Sequence, residues 1–155
     1  WGGKVYDDVM AVADSLSHLP YVDAERMGAM GWSYGGFMTS WTITQTQRFQ
    51  AASVGAGVTN LMSFTGTADI PGFLPDYFRA EFWDNLDTYR AHSAMFHVKG
   101  VKTPTLIQHG EKDERGVSGI EAGAQGKTGH DWDDLRCAVG RYDGRTSGAR
   151  LPMGE

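Results

Sequence analysis

A chain of 155 residues with 41% hydrophobic and 21% charged side chains is one globular domain or part of one. A chain of that length can bury about 70% of its unfolded surface. The net charge of −5, without any lysine–arginine cluster, argues against nucleic acid as a partner. No run approaches the roughly 18 apolar residues of a membrane-spanning helix, and the single Cys137 excludes an internal disulfide.

The chain opens "WGGKVYDDVMAV", with neither methionine nor a signal-peptide pattern, and so reads as the inside of a longer protein. From Asp7 to Leu19 apolar residues recur at Val9, Val12, Ala13, Leu16 and Leu19, the stripe of an amphipathic helix that Pro20 stops. "MGAMG", residues 27–31, predicts a short strand buried on both faces. Phe37, Met38 and Trp41 then mark one face of a helix reaching about Gln47. "FQAASVGAGV" reads as a second strand, and residues 58–100, rich in aromatics, as one or two short helices. "TPTLIQHG" predicts a strand over Thr105–Gln108. Helix and strand alternate as in an α/β protein with a parallel sheet. After Arg115 the periodicity stops: residues 116–155 are glycine-rich, and neither strand nor amphipathic helix is predicted there, which is the pattern of a disordered tail.

The chemistry concentrates at Gly31-Trp32-Ser33-Tyr34-Gly35, a G-x-S-x-G sequence placed between a predicted strand and a predicted helix. In that context the serine sits on a sharp strained turn, and Gly31 and Gly35 supply neighbours without side chains. Gly36 lets the helix approach the sheet. The helix N-terminus directs free N–H groups at the site, and the N–H of Tyr34 is placed to bind a tetrahedral oxyanion. The bland counterpart is a glycine-rich turn whose serine caps the helix.

A nucleophilic serine needs a base, and the base an orienting acid; on this type of fold the chain order is serine, acid, histidine. "TLIQHGEKDER" offers Glu111, Asp113 and Glu114 just past a strand, of which Asp113 is the predicted acid. His18, His92, His97 and His109 precede it. His18 reads as a surface residue, and His109, ending a strand, as a structural hydrogen-bonding group. Only His130 follows the acid, and "VSGIEAGAQGKTG" between them supplies neither the helix nor the strand that should lead to a catalytic histidine.

In combination, "WGGKVYDDVMAV", "GWSYGGFMTSW" and "YFRAEFWDNLDTYRAHSAMFHVKGVKTPTLIQHGEKDER" resemble the catalytic domain of the prolyl oligopeptidase family, in its dipeptidyl aminopeptidase and acylaminoacyl peptidase branches. The resemblance covers residues 1–115. It implies a partial α/β-hydrolase fold, incomplete at both ends, and a serine peptidase that cleaves short peptides through an acyl-enzyme without a cofactor. By position it implies Ser33 as nucleophile, Tyr34 as oxyanion residue and Asp113 as triad acid, with His130 the one histidine left for the base. Trp32 and Tyr34, flanking the serine, are the candidate pocket residues. Phe73, Tyr77, Phe78, Phe82, Trp83, Tyr89 and Phe96 are expected mostly in the core.

The resemblance also implies a β-propeller preceding this domain in the parent protein. Past Arg115, family members continue with a helix and a strand leading to the histidine. Here a shifted reading frame or a misassembled gene would account for the break, and the chain as written is expected to be impaired. The alternatives are a carboxylesterase on the same fold and a truncated, non-catalytic domain, whose signs would be exposed apolar surface and open strand edges. "HDWDD", residues 130–134, has metal-ligand residue types without ligand spacing, and no metal site is expected.

Overall fold

The computed structural model describes residues 1–110, Asp113, and the backbone of residues 140–142. His130, Glu111, Glu114 and residues 130–134 lie outside the described residues, as does nearly all of the glycine-rich segment. Helix α1 (Lys4–Ser17) leads to strand β1 (Gly28–Trp32), helix α2 (Tyr34–Gln45) and strand β2 (Ala51–Gly55). Three short helices follow, α3 (Leu61–Thr67), α4 (Phe73–Phe78) and α5 (Leu86–Ala91), then a 3₁₀ turn (Ala94–His97) and strand β3 (Thr105–Gly110). A three-residue strand β4 (Gly140–Tyr142) completes a sheet of order β1-β2-β3-β4.

All three pairings are parallel, with Trp32 beside Gly55 and Gly55 beside Gln108. The C-terminal ends of β1, β2 and β3 therefore lie along one edge. β4 corrects the expectation of no strand after Arg115: its three residues pair with Gln108, His109 and Gly110. Backbone pairing with a neighbouring strand does not require the alternating side-chain pattern that sequence periodicity detects.

The core gathers on one side of the sheet around α2. Phe37 is fully buried, with Met38, Trp41, Leu61, Phe64, Leu74 and Tyr89 packed beside it. Residues Gly36 to Ile43 are buried without interruption, so α2 is enclosed all round rather than on the single face predicted. Local signals set the surrounding helices. The Asn60 side chain accepts from the backbone N–H groups of Met62 and Ser63 to start α3, and Asn85 accepts from Thr88 to start α5. Pro75 fits the first turn of α4, where its missing N–H leaves no helical bond unmade.

One expectation needs correction. β1 is not buried on both faces: it is the edge strand of the sheet, α2 covers only one of its faces, and Met30 is 83% exposed. The apolar stripe of α1 forms as a helix but is not covered. Ala13 is buried, whereas Val9, Val12 and Leu16 face outward. Helix α1 is tied down instead by polar contacts, Arg48 pairing with the Asp14 carboxylate and donating to the Ala13 carbonyl at 3.1 Å.

Phe37 is the test of this arrangement. Truncating a fully buried phenylalanine costs about 3–5 kcal/mol. The Phe37→Ala chain is expected to lose that much in urea unfolding, with a lower midpoint and an unchanged slope. A loss below about 1 kcal/mol would show that the core is not assembled around α2.

Candidate active site

The turn from β1 into α2 carries the site. Ser33 has φ 57° and ψ −117°, a left-handed conformation that L-residues rarely adopt. Its backbone is held from both sides: its N–H donates to the Gly55 carbonyl at 2.9 Å, and its carbonyl accepts from Phe37 at 3.0 Å. The side chain is exposed and makes no capping bond to the helix it precedes. A serine present only to cap α2 would accept from an N–H of the first turn, so the bland reading fails. The structure holds the Ser33 backbone in strain and leaves its hydroxyl free, the arrangement of a nucleophile elbow.

The glycines around it divide. A Cβ on Gly31 would stand 2.3 Å from the Gly35 carbonyl oxygen, and one on Gly36 would stand 2.3 Å from that of Gly55. No real contact is so short, so both positions require glycine. Gly35 differs from the expectation: a Cβ there meets nothing within 4 Å. It is the Gly35 backbone, not space for a Gly35 side chain, that crowds Gly31.

Tyr34 begins α2, where a backbone N–H has no intrahelical acceptor and is available to an incoming oxyanion. Its ring packs edge-on against Trp1, with centroids 5.0 Å apart, and Phe73 meets the same indole at 5.9 Å. The Trp1 backbone nitrogen donates to the Tyr77 hydroxyl at 2.9 Å. Burial, and secondarily the neighbouring Tyr77, push the Tyr34 phenol above its ordinary pKa, so it stays neutral at physiological pH. The Trp32 ring lies over Gly55, where a side chain would collide with it, yet remains 58% exposed. Phe73, Tyr77, Trp83 and Phe96 are also exposed, against the expectation of a core role. Tyr89 is fully buried, and Phe78 and Phe82 pack on the core, as expected.

Asp113 lies beyond β3. Its N–H donates to the Gly110 carbonyl at 3.1 Å, folding the chain back over the strand end. Ser33 and Asp113 thus occupy the same C-terminal edge of the sheet, on strands separated by β2, roughly 10 Å at the usual interstrand spacing. Ligands of open parallel sheets bind at this edge.

Three of the four histidines that precede Asp113 in the chain contact main-chain carbonyl oxygens: His18 that of Asp14, His92 that of Trp1 and His97 that of Ala91. His18 is exposed, as expected. His109 departs from the hydrogen-bonded role expected of it: both ring nitrogens are buried without a hydrogen-bond partner, and Nε2 lies 3.7 Å from the Asp113 carboxylate. No signal in the sequence distinguishes such a ring from an ordinary strand-end histidine. Among the described residues there is no cluster able to hold a metal ion, and no helix is long and apolar enough to cross a membrane.

A strained serine between a parallel strand and a helix, with an acid past a later strand on the same edge, defines an α/β-hydrolase sheet. The prolyl oligopeptidase family model matches residues 1–118, and the chain belongs to that family. The chain is 41% identical over 117 residues to YuxL, an uncharacterized peptidase of Bacillus subtilis, an alignment covering 74% of this chain and 18% of that protein. It is 35% identical over 120 residues to dipeptidyl-peptidase 5 of Porphyromonas gingivalis, with the same coverage of both. Among solved structures, Pyrococcus horikoshii acylaminoacyl peptidase superposes with a TM-score of 0.73 at 26% identity, over 86% of this chain and 22% of that one. The chain spans about a fifth of these proteins, a part of the α/β-hydrolase fold.

The strain and the crowding are separately measurable. Ser33→Gly is expected to stabilise the chain by about 1 kcal/mol, because glycine adopts this backbone without a steric penalty; an unchanged or lower stability would contradict the strain. Gly36→Ala is expected to cost several kcal/mol by collision with the β2 backbone. Gly35→Ala, lying in open space within a helix, is expected to be neutral or to gain up to about 1 kcal/mol. Equal effects of these two substitutions in thermal unfolding would refute the close approach assigned to Gly36.

Proposed function

We propose that this chain is the nucleophile-bearing part of a serine peptidase that cleaves short peptides through an acyl-enzyme at Ser33. The observation that carries the reading is the left-handed Ser33 with a free hydroxyl at the head of α2. In the reaction the Ser33 Oγ attacks the scissile carbonyl carbon while its proton passes to a base. The oxygen that becomes negative is met by the Tyr34 N–H, and the leaving amine takes the proton as the acyl-enzyme forms. Water then repeats the sequence and frees Ser33. Asp113 is the acid that orients the base. Trp32 and Tyr34 flank the nucleophile, and Phe73 and Tyr77 extend the aromatic wall beside Tyr34, a surface suited to an apolar substrate side chain. The relatives are named as peptidases, which favours peptide amides over the ester substrates of a carboxylesterase.

Two further proposals follow from the extent of the match. The parent protein carries more than this domain, with a β-propeller ahead of it restricting access to short peptides; the small share of each relative that the chain covers supports this. The glycine-rich segment is not the family's sequence. The family match stops at residue 118, just after the point where periodicity is lost. Without the family histidine the chain as written is impaired, since removing that residue alone costs on the order of a million-fold in kcat. His130 is the histidine available to replace it. The exposed apolar stripe of α1 and the open edge of β1 favour a companion reading, that the chain by itself is a non-catalytic piece.

A fluorophosphonate probe distinguishes these readings. Labelling is expected to be weak, confined to Ser33 and abolished by Ser33→Ala. Labelling at another residue would refute the nucleophile assignment. Strong labelling at Ser33 would refute the impairment and place a working base in the chain; its loss in His130→Ala would identify that base.

A further inference from the structure

We propose that His109 is a positioning residue for Asp113: its ring directs an N–H at the carboxylate and holds the acid at the C-terminal end of β3. The proposal rests on the reading of Asp113 as the triad acid. A neutral imidazole always carries one N–H and an imidazolium two, and a buried N–H without an acceptor is unfavourable. The His109 side chain is 9% exposed, and neither of its nitrogens has a hydrogen-bond partner. The group it faces is the Asp113 carboxylate, itself 25% exposed, with Oδ2 3.7 Å from Nε2. That separation exceeds a hydrogen bond by about half an ångström, within reach of a small rotation of either side chain.

The backbone prepares the contact. The Asp113 N–H bond to the Gly110 carbonyl returns the chain toward β3, setting the carboxylate four residues beyond the ring and next to it. Among the described residues, His109 is the histidine whose ring faces a carboxylate; His18, His92 and His97 meet backbone carbonyls. An N–H on Oδ2 fixes the plane of the carboxylate, the property a triad acid requires. The functional base is a separate group: His109 acts on Asp113 and not on Ser33.

Nitrogen-15 and carbon-13 NMR of the full chain at neutral pH tests this without any need for activity. The expected result is an Nε2–H form of His109 with a downfield, slowly exchanging proton. In Asp113→Ala that proton should move upfield, while the His18, His92 and His97 resonances stay in place and report an intact fold. If Asp113→Ala does not fold, Asp113→Asn, which removes the charge and keeps the shape, is expected to shift the same proton. In His109→Leu the Asp113 carboxyl carbon should move toward the shift of an exposed aspartate, and His109→Gln, which retains an N–H at similar reach, should restore it. An Nδ1–H tautomer, or a ring spectrum indifferent to Asp113, would overturn the proposal. Loss of Ser33 labelling alone would leave this contact unmoved, and loss of the contact would leave the Ser33 assignment standing.

Discussion

The close approach of the α2 backbone to β1 and β2 is the constraint on which the rest of this structure depends. At Gly31 the chain passes so near Gly35, and at Gly36 so near Gly55, that a methyl group at either position would lie inside a neighbouring carbonyl oxygen. That proximity forces the connection between strand and helix into a single residue, and the single residue into a left-handed conformation. The exposed hydroxyl, the free amides of the first helical turn and the enclosure of α2 all follow from it. The aromatic wall does so indirectly, because Tyr34 is placed against Trp1 by where α2 begins.

Register extends the constraint across the sheet. Parallel pairing aligns the strand ends, so a turn after β3 opens on the same edge as the turn after β1. An acid far along the chain is thereby brought to the serine's side of the sheet. The edge, and not the chain, is the unit that the site is built on.

What was legible in the sequence follows from how local each determinant is. The strained turn was legible because its requirements are local: glycines where backbones meet at Gly31 and Gly36, a serine between them, and apolar residues resuming at helical spacing from Phe37. The strand leading toward Asp113 was readable from Pro104 before it and Gly110 at its end. The burial of β1 was misjudged, since an apolar pattern reports what a surface could cover and not what lies over it; Met30 has the right chemistry and stands 83% exposed. Of the two glycines expected to flank the serine for lack of space, Gly31 requires it and Gly35 does not, a distinction that only the direction of each Cα–Cβ bond reveals. β4 escaped because three residues carry no period, and the facing of His109 toward Asp113 because it depends on the path of a turn.

Ser33 also bears on how such a chain would change under mutational drift. Its conformation is one that glycine tolerates better, and its hydroxyl makes no bond that holds the helix. Selection for folding alone would therefore keep Gly31 and Gly36, whose replacement collides with backbone, and would be indifferent or mildly hostile to the serine between them. The two kinds of residue in one short motif answer to different pressures. In a lineage released from catalysis they should part company, the glycines persisting as the imprint of the fold after the serine has gone.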